Sequence, residues 1–276
     1  MIIIQQRAVS SSDFTSLADE IIFESSVFTF QMHKIRSNSE ALAVESYHRL
    51  SGNQLALQSN LRIIREADMN QMKTAVLQFL KELTKRLQEL LQRFLNHMKL
   101  VVTSIDAFIE EHEANLSFTG PGSYDYTEAF HAVLFCMKDL ESYINRISLY
   151  KSGMDSTAYS PSDIFTLAKK YKQQIFIRNK RSVPYSIGDL LQALQQSDRI
   201  TARVKSSYHN MVTSVARMNG IMYTIEDEIF LEMISDKNKY IQSIVAAFKF
   251  LMTAIDQLLY DIKSDVRAIE KLHGIE

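Results

Sequence analysis

The amino-acid sequence predicts a mainly α-helical protein: an elongated helical bundle scaffolded by two long helices, with a small mixed segment between them. Three observations lead to this prediction. Only 7 glycines and 3 prolines interrupt 276 residues, which favours long helices with few turns. Hydrophobic residues make up 46% of the chain, which is ample for a buried core. The large apolar residues recur at helical spacing over 69–109 and again in the last 50 residues or so.

The first long helix is predicted over residues 69–115, with Asp68 as its N-cap. Its apolar residues repeat every eleven positions, which corresponds to about 3.67 residues per turn and a nearly straight rod. At 1.5 Å per residue, 69–109 would span roughly 60 Å. The stripe is four residues wide per repeat, so it needs cover from more than one neighbour. Five of its members are predicted to be buried in the folded chain or its assembly: Leu83, Leu87, Leu90, Phe94 and Met98.

The second long helix is predicted from about Ile225 to Leu272. Its apolar residues follow heptad spacing from Ile241 to Ile262 and then shift register through Val266 and Ile269. This stripe matches that of the first long helix. The two helices are therefore expected to pack as an antiparallel pair.

The chain is predicted to have four regions. Residues 1–68 form an N-terminal arm with short helices over about 11–34, 41–50 and 54–65. Residues 69–115 are the first long helix. Residues 116–187 form the mixed middle segment, with a Gly-Pro-Gly turn, helices over 128–148 and from Pro161, and an extended piece or hairpin over 174–187. Residues 188–276 contain a helix over 189–218 and the second long helix, packed on 69–115.

Composition narrows the classes of partner. The formal net charge is −1, so an electrostatic partner has to be met by a local patch. The single cysteine, Cys136, cannot form an internal disulfide, which fits a reducing compartment. The apolar run at the N-terminus is too short for a signal peptide, and no stretch of about 18 residues is free of charge. These features predict a protein that does not span a membrane.

The residue types for catalysis or metal binding do not fall into a pattern that predicts a site. No two of the seven histidines are spaced as His-x3-His. Cys136 and His131 are five residues apart on one predicted helix and therefore face different directions, and an apolar run around Cys136 predicts an inert buried thiol. Glycine-rich phosphate loops and nucleophile elbows do not occur. We therefore predict no enzymatic activity, no cofactor and no metal site.

A basic cluster is the clearest local signal for a partner. It carries six cations within thirteen residues and no acid: Lys169, Lys170, Lys172, Arg178, Lys180 and Arg181. Such a patch can neutralise phosphates, and the interleaved Tyr171, Phe176 and Tyr185 could stack on bases. It could equally dock an acidic face of a neighbouring subunit. The favoured interpretation is a surface paired with acidic runs elsewhere, such as that at 226–232.

The amphipathic stretch 72–102 has two interpretations. Its first part is rich in lysine and arginine, as in helices that lie on membranes. The same helix continues into Asp106, Glu110, Glu111 and Glu113, which anionic lipid would repel. The matching apolar stripe near the C-terminus favours a core spine over a membrane-surface helix.

The order of segments over residues 39–127 resembles internal or minor virion structural proteins of large tailed bacteriophages. A polar helix containing EALAVESY leads through NLRIIREA into KTAVLQFLKELTKRLQELLQRFLNHM. The acidic helix end IEEHEANL and the turn FTGPGSYDYT follow. The resemblance implies a structural component of a virion without enzymatic activity, made in the cytoplasm of a bacterial host. It implies other virion proteins and copies of the chain itself as partners, with packaged DNA as a further candidate.

Two alternatives remain open. The first is a cytoplasmic helical-bundle adaptor protein, which the same bundle architecture would suit. The second is a membrane-surface protein that uses 72–102.

Overall fold

A computed structural model of the chain describes residues 14–28, 54–149, 166–222 and 227–275. Of the described residues, 86% are helical, which confirms the mainly α-helical fold class. The predicted arm at residues 2–4, the helix over 41–50, the loop over 151–159 and the helix start at Pro161 lie outside the described residues.

Seven α-helices are described, and a short antiparallel strand pair joins distant parts of the chain. The helices are α1 (residues 14–28), α2 (Gln54–His112), α3 (Tyr126–Leu149), α4 (Thr166–Lys172), α5 (Ile187–Gln195), α6 (Ser197–Met222) and α7 (Asp227–Leu272). A 3-10 turn, Glu113–Asn115, follows α2, and a π-helical turn, Gln173–Ile177, continues α4. The strands are β1 (Thr119–Gly122) and β2 (Val183–Ser186).

Helix α2 is a single helix of 59 residues. The predicted break before Asp68 is wrong, because 54–65 and the first long helix are continuous. No glycine or proline occurs between 54 and 112. An aspartate inside a helix costs only some tenths of a kcal/mol, so a capping signal alone does not end a helix that its neighbours favour.

The two long helices run parallel, so the predicted antiparallel arrangement is wrong. His97 meets Asp256, Ser104 meets Lys263, and His112 meets Glu270. The partner number rises with the α2 number at a nearly constant offset, which only a parallel pair can give. Two helices of one chain can be parallel when other segments return between them, and here those segments include α3 and α6.

The return helices complete the bundle. α2 packs on α6, α6 on α3, and α3 on α7, while α4 covers α7 and its π-helical turn covers α3. α1 runs antiparallel to α2, with Phe14 against Phe94 at one end and Phe28 stacked on Phe79 at the other. α1 also reaches α7 through the ion pair between Asp19 and Lys249.

The predicted apolar stripe of α2 lies in the core of the chain itself. Leu83 is 4% exposed, and the other four members are fully buried: Leu87, Leu90, Phe94 and Met98. The heptad residues of α7 from Ile241 to Ile269 are buried in the same core. By length and composition, the stretch Lys239–Leu272 could cross a membrane, yet 67% of its most apolar window is buried inside the structure. Core packing accounts for that apolar composition.

The strand pair is partly different from the prediction. An extended piece was expected over 174–187, and only Val183–Ser186 is extended, because 173–177 form the π-helical turn. β2 pairs antiparallel with β1, with Gly120 opposite Tyr185. A Cβ at Gly120 would lie 2.7 Å from Ile269 Cγ1, so glycine allows β1 to lie directly on α7.

Leu87→Ala is expected to lower the free energy of unfolding by about 2–5 kcal/mol, because it leaves a cavity in a fully buried site. The matched control is Leu100→Ala on the same helix, where the side chain is 45% exposed. We expect the control to change stability by roughly 0.5 kcal/mol or less. Equal denaturant midpoints for the two variants would contradict the buried position of Leu87.

Candidate functional site

The densest group of polar contacts lies where β1 and β2 meet the end of α7. We name this region the terminal clasp, and it comprises residues 118–126, 179–187 and 261–273. Its centre is Asp265, which is 7% exposed. Asp265 accepts hydrogen bonds from the Ser123 backbone N–H at 2.7 Å, from the Ser123 hydroxyl at 2.8 Å and from the Tyr126 hydroxyl at 2.5 Å. One carboxylate on α7 therefore holds the start of α3 in place.

The ionisable groups around Asp265 are wholly or partly buried and form hydrogen bonds within the fold. Burial, followed by the hydrogen bond to Asp265, raises the pKa of Tyr126 far above its usual range. Burial also raises the pKa of Asp261. A tyrosine beside a carboxylate can serve in acid–base chemistry, but Tyr126 is fully buried and its hydroxyl proton is already donated. A substrate could reach it only after the clasp opened.

The clasp also contains the last cation of the basic cluster. Arg181 forms an ion pair with Asp125, and the guanidinium lowers the pKa of that carboxyl. Asp125 in addition accepts from the Glu128 backbone N–H, so it caps α3. The Asn179 side chain donates to the carbonyls of Gln174 and Ile175, and thereby caps the π-helical turn.

Two buried histidine–carboxylate pairs join α2 to α7. His97 Nε2 lies 2.7 Å from both carboxylate oxygens of Asp256. His112 Nδ1 lies 2.7 Å from Glu270, which also accepts from the Asn115 side-chain amide at 2.7 Å. Nothing in the sequence analysis predicted these pairs. The available signal was a polar residue on an otherwise apolar face, and that signal does not name the partner.

These pairs are not grouped as metal ligands. Within the part of the chain that the structure describes, no group of three or more histidine, cysteine, aspartate or glutamate side chains could hold a metal ion. The His112 Nε2 atom is buried and has no hydrogen-bond partner among the described residues. Such an atom costs free energy, which the contact of Nδ1 with Glu270 offsets in part.

Cys136 is the thiol that the sequence analysis interpreted as buried and inert. The side chain is fully buried on α3, and its Sγ–H donates to Gln174 Oε1 at 3.1 Å. Burial raises the pKa of the thiol to about 12, so very little thiolate is present near neutral pH.

The structure shows ion pairs for two cations of the basic cluster. Lys170 pairs with Asp139 at 2.8 Å, and Arg181 with Asp125. The remaining four are exposed: Lys169, Lys172, Arg178 and Lys180. No ion pair is recorded between Lys172, Arg178 or Lys180 and another described residue. The acidic run at 226–232, which was named as a pairing partner, lies outside the residues whose side chains are described.

The aromatic residues within the basic cluster pack in or against the core. Tyr171 is fully buried and donates to Asp139. Phe176 packs edge-to-face on Tyr124 and Phe250, while Tyr185 contacts the ring of Tyr126. The predicted stacking of nucleic-acid bases on these rings would therefore require them to leave their present contacts.

The π-helical turn lies within the basic cluster, between Lys172 and Arg178. A π turn closes i→i+5 hydrogen bonds, here from the Arg178 N–H to the Gln173 carbonyl, and so rotates less per residue than an α-helix. This smaller rotation keeps Ile175 on the buried line of Leu167 and Tyr171. It leaves Arg178 on the exposed side, which a regular α-helix would have turned inward.

Comparisons with protein families, with curated proteins and with solved structures find no match to this chain.

Asp265→Ala is expected to destabilise the protein by about 2–4 kcal/mol, because it strands the buried Tyr126 hydroxyl and two donors of Ser123. Tyr126→Phe removes one of these hydrogen bonds and leaves Asp265 with Ser123, so we expect a smaller loss. Chemical denaturation of both variants measures the difference. A larger loss for Tyr126→Phe than for Asp265→Ala would show that the aspartate is not the centre of the clasp.

Cys136 is expected to react with a thiol-specific reagent at neutral pH only after the protein unfolds. The control places one exposed thiol in a chain without the native one, as Ser182→Cys combined with Cys136→Ser. This variant should react within the mixing time in the folded state. Fast labelling of the native thiol under conditions where circular dichroism shows full helicity would contradict the buried position.

Proposed function

We propose that this protein is a structural, non-enzymatic component of a tailed-bacteriophage virion that contributes helical packing and contacts between subunits. The observation that carries the proposal is the order of segments over residues 39–127, which resembles minor virion proteins. The fold supports it in a general way. The part of that stretch from Gln54 onward forms the long spine helix, and its Gly-Pro-Gly turn lies in the strand that closes the bundle.

The distribution of apolar surface bears on how such a subunit would make contacts. The α2 stripe is used within the chain, so contacts with neighbours have to come from outward-facing residues. The exposed large apolar side chains are dispersed over the described helices and turns: Phe23, Val27, Leu100, Leu116, Phe135, Ile177, Tyr260 and Leu272. Each contact with a neighbour would therefore be small and partly polar, as in interfaces that form by repetition in an assembly.

The alternatives differ in what they require of 72–102. A membrane-surface protein would have to expose the stripe that is now buried, at a cost of roughly 1.5–3 kcal/mol for each large apolar side chain. An adaptor protein would use the same bundle unchanged. The packing therefore disfavours the membrane-surface alternative. The location of the protein distinguishes the adaptor from the virion component.

Mass spectrometry of gradient-purified particles, produced from the genome that encodes this chain, tests the proposal. We expect the chain to band with the particles at a constant ratio to the major capsid protein across fractions and after nuclease and high-salt washing. The matched control is a non-structural protein of the same infection, which should fall away on washing. Recovery of the chain only in the soluble lysate would favour the adaptor, and recovery with floated vesicles would favour the membrane role.

A further inference from the structure

Two groups of exposed charged side chains on this chain have opposite signs. The basic face consists of Lys172, Arg178 and Lys180, around the π-helical turn. The acidic face consists of Asp106, Glu110 and Glu113, at the end of α2. All six side chains are exposed, and no ion pair between any of them and another described residue is recorded. We propose that the basic face of one copy of the chain docks on the acidic face of a second copy. This contact deepens the proposed structural role by naming the partner.

The acidic face is directed outward by the geometry of α2. Ile105, Phe108 and His112 are buried, so the opposite side of the helix carries Asp106 and Glu110, one turn apart and about 6 Å along the axis. Two cations of α7 approach this end of α2, Lys263 and Arg267. They lie over the Phe108 ring, at 5.4 and 5.5 Å from its centroid, and no ion pair with the acidic face is recorded.

The basic face surrounds the π-helical turn and is not needed to cap it. The carbonyls at the end of the turn are already occupied by the Arg178 N–H and the Asn179 side chain. Ile177, at 64% exposure, is an apolar residue within this face, and Leu116, at 43%, follows Glu113 on the acidic side. Each face thus combines three charges of one sign with one exposed apolar side chain. That combination suits a protein surface better than a duplex, whose phosphates offer nothing to Ile177.

The two faces lie on different elements of the bundle. α4 and its π-helical turn pack on α3 and α7, whereas α2 packs on α6. A contact in which the basic face of one copy meets the acidic face of the next is heterologous, and its repetition generates rings or open filaments, whereas a reciprocal contact of both faces would give a two-fold dimer. Exposed ion pairs contribute little each, so the association should be weak in solution and should strengthen at the high local concentration of an assembly.

Charge reversal provides a test with an internal rescue. Lys172→Glu with Arg178→Glu gives a chain with two acidic faces, and Glu110→Lys with Glu113→Lys gives a chain with two basic faces. Neither should associate with itself, while an equimolar mixture of the two should associate again. Lys81→Glu with Lys205→Glu changes net charge by the same amount as the first variant at exposed sites outside both faces, and should behave as wild type.

Sedimentation velocity over a concentration series measures the outcome. We expect the weight-average mass of the wild type to rise with concentration at about 0.01 M salt. It should return to that of the monomer at about 0.3 M, where the Debye length falls below 10 Å. Circular dichroism checks that each variant keeps its helicity.

Three results would overturn the docking proposal. They are a wild type that stays monomeric at low salt, association that survives either reversal, and a mixture that fails to associate. Titration with duplex DNA gives a further arm. DNA binding lost in the Lys172→Glu and Arg178→Glu variant, without self-association of the wild type, would assign the basic face to phosphates. These results are independent of the particle analysis, because a monomeric subunit can still band with the virion.

Discussion

The parallel alignment of α2 and α7 is the constraint on which the rest of the structure depends. Three polar contacts between them, at His97, Ser104 and His112, fix one register along about four turns of each helix. Apolar stripes alone tolerate sliding by a turn, because one leucine replaces another. A buried carboxylate tolerates no such sliding, since a shifted register would leave it without its partner and cost several kcal/mol.

A parallel pair imposes the remaining architecture. The chain leaves α2 at one end and has to return before α7 can begin, so at least one antiparallel helix must lie between them. α3 and α6 occupy that space and cover the stripes that the two long helices cannot cover for one another. The terminal clasp secures the turn at which the chain reverses, with Asp265 holding the start of α3 and Gly120 permitting the close approach of β1. The polar groups of the clasp thus hold the chain in this topology.

The same arrangement decides what the surface can do. Because the apolar stripes and most of the aromatic rings lie in the core, the outward-facing positions of the helices carry mainly polar and charged side chains. The π-helical turn has a local effect of the same kind. Its smaller rotation per residue places Arg178 in solvent while Ile175 stays in the core. The described surface therefore carries charged side chains of both signs and few large apolar ones.

The sequence by itself determined the helical class, the burial period of the two long helices and the buried state of Cys136, because each follows from local composition and 3.6-residue periodicity. It did not determine the direction in which α2 and α7 lie, since an apolar stripe reads the same for parallel and antiparallel neighbours. It did not determine that α2 continues through Asp68, where a capping signal is weak against the helical preference of its neighbours. It did not determine that 173–177 form a π-helical turn, in which Phe176 packs on Phe250 of α7. Asp265, His97 and His112 found their partners only in the tertiary structure, because each contact joins residues more than 130 positions apart. The pairing of Lys170 and Arg181 in the basic cluster was decided in the same way, by Asp139 on α3 and Asp125 at its start.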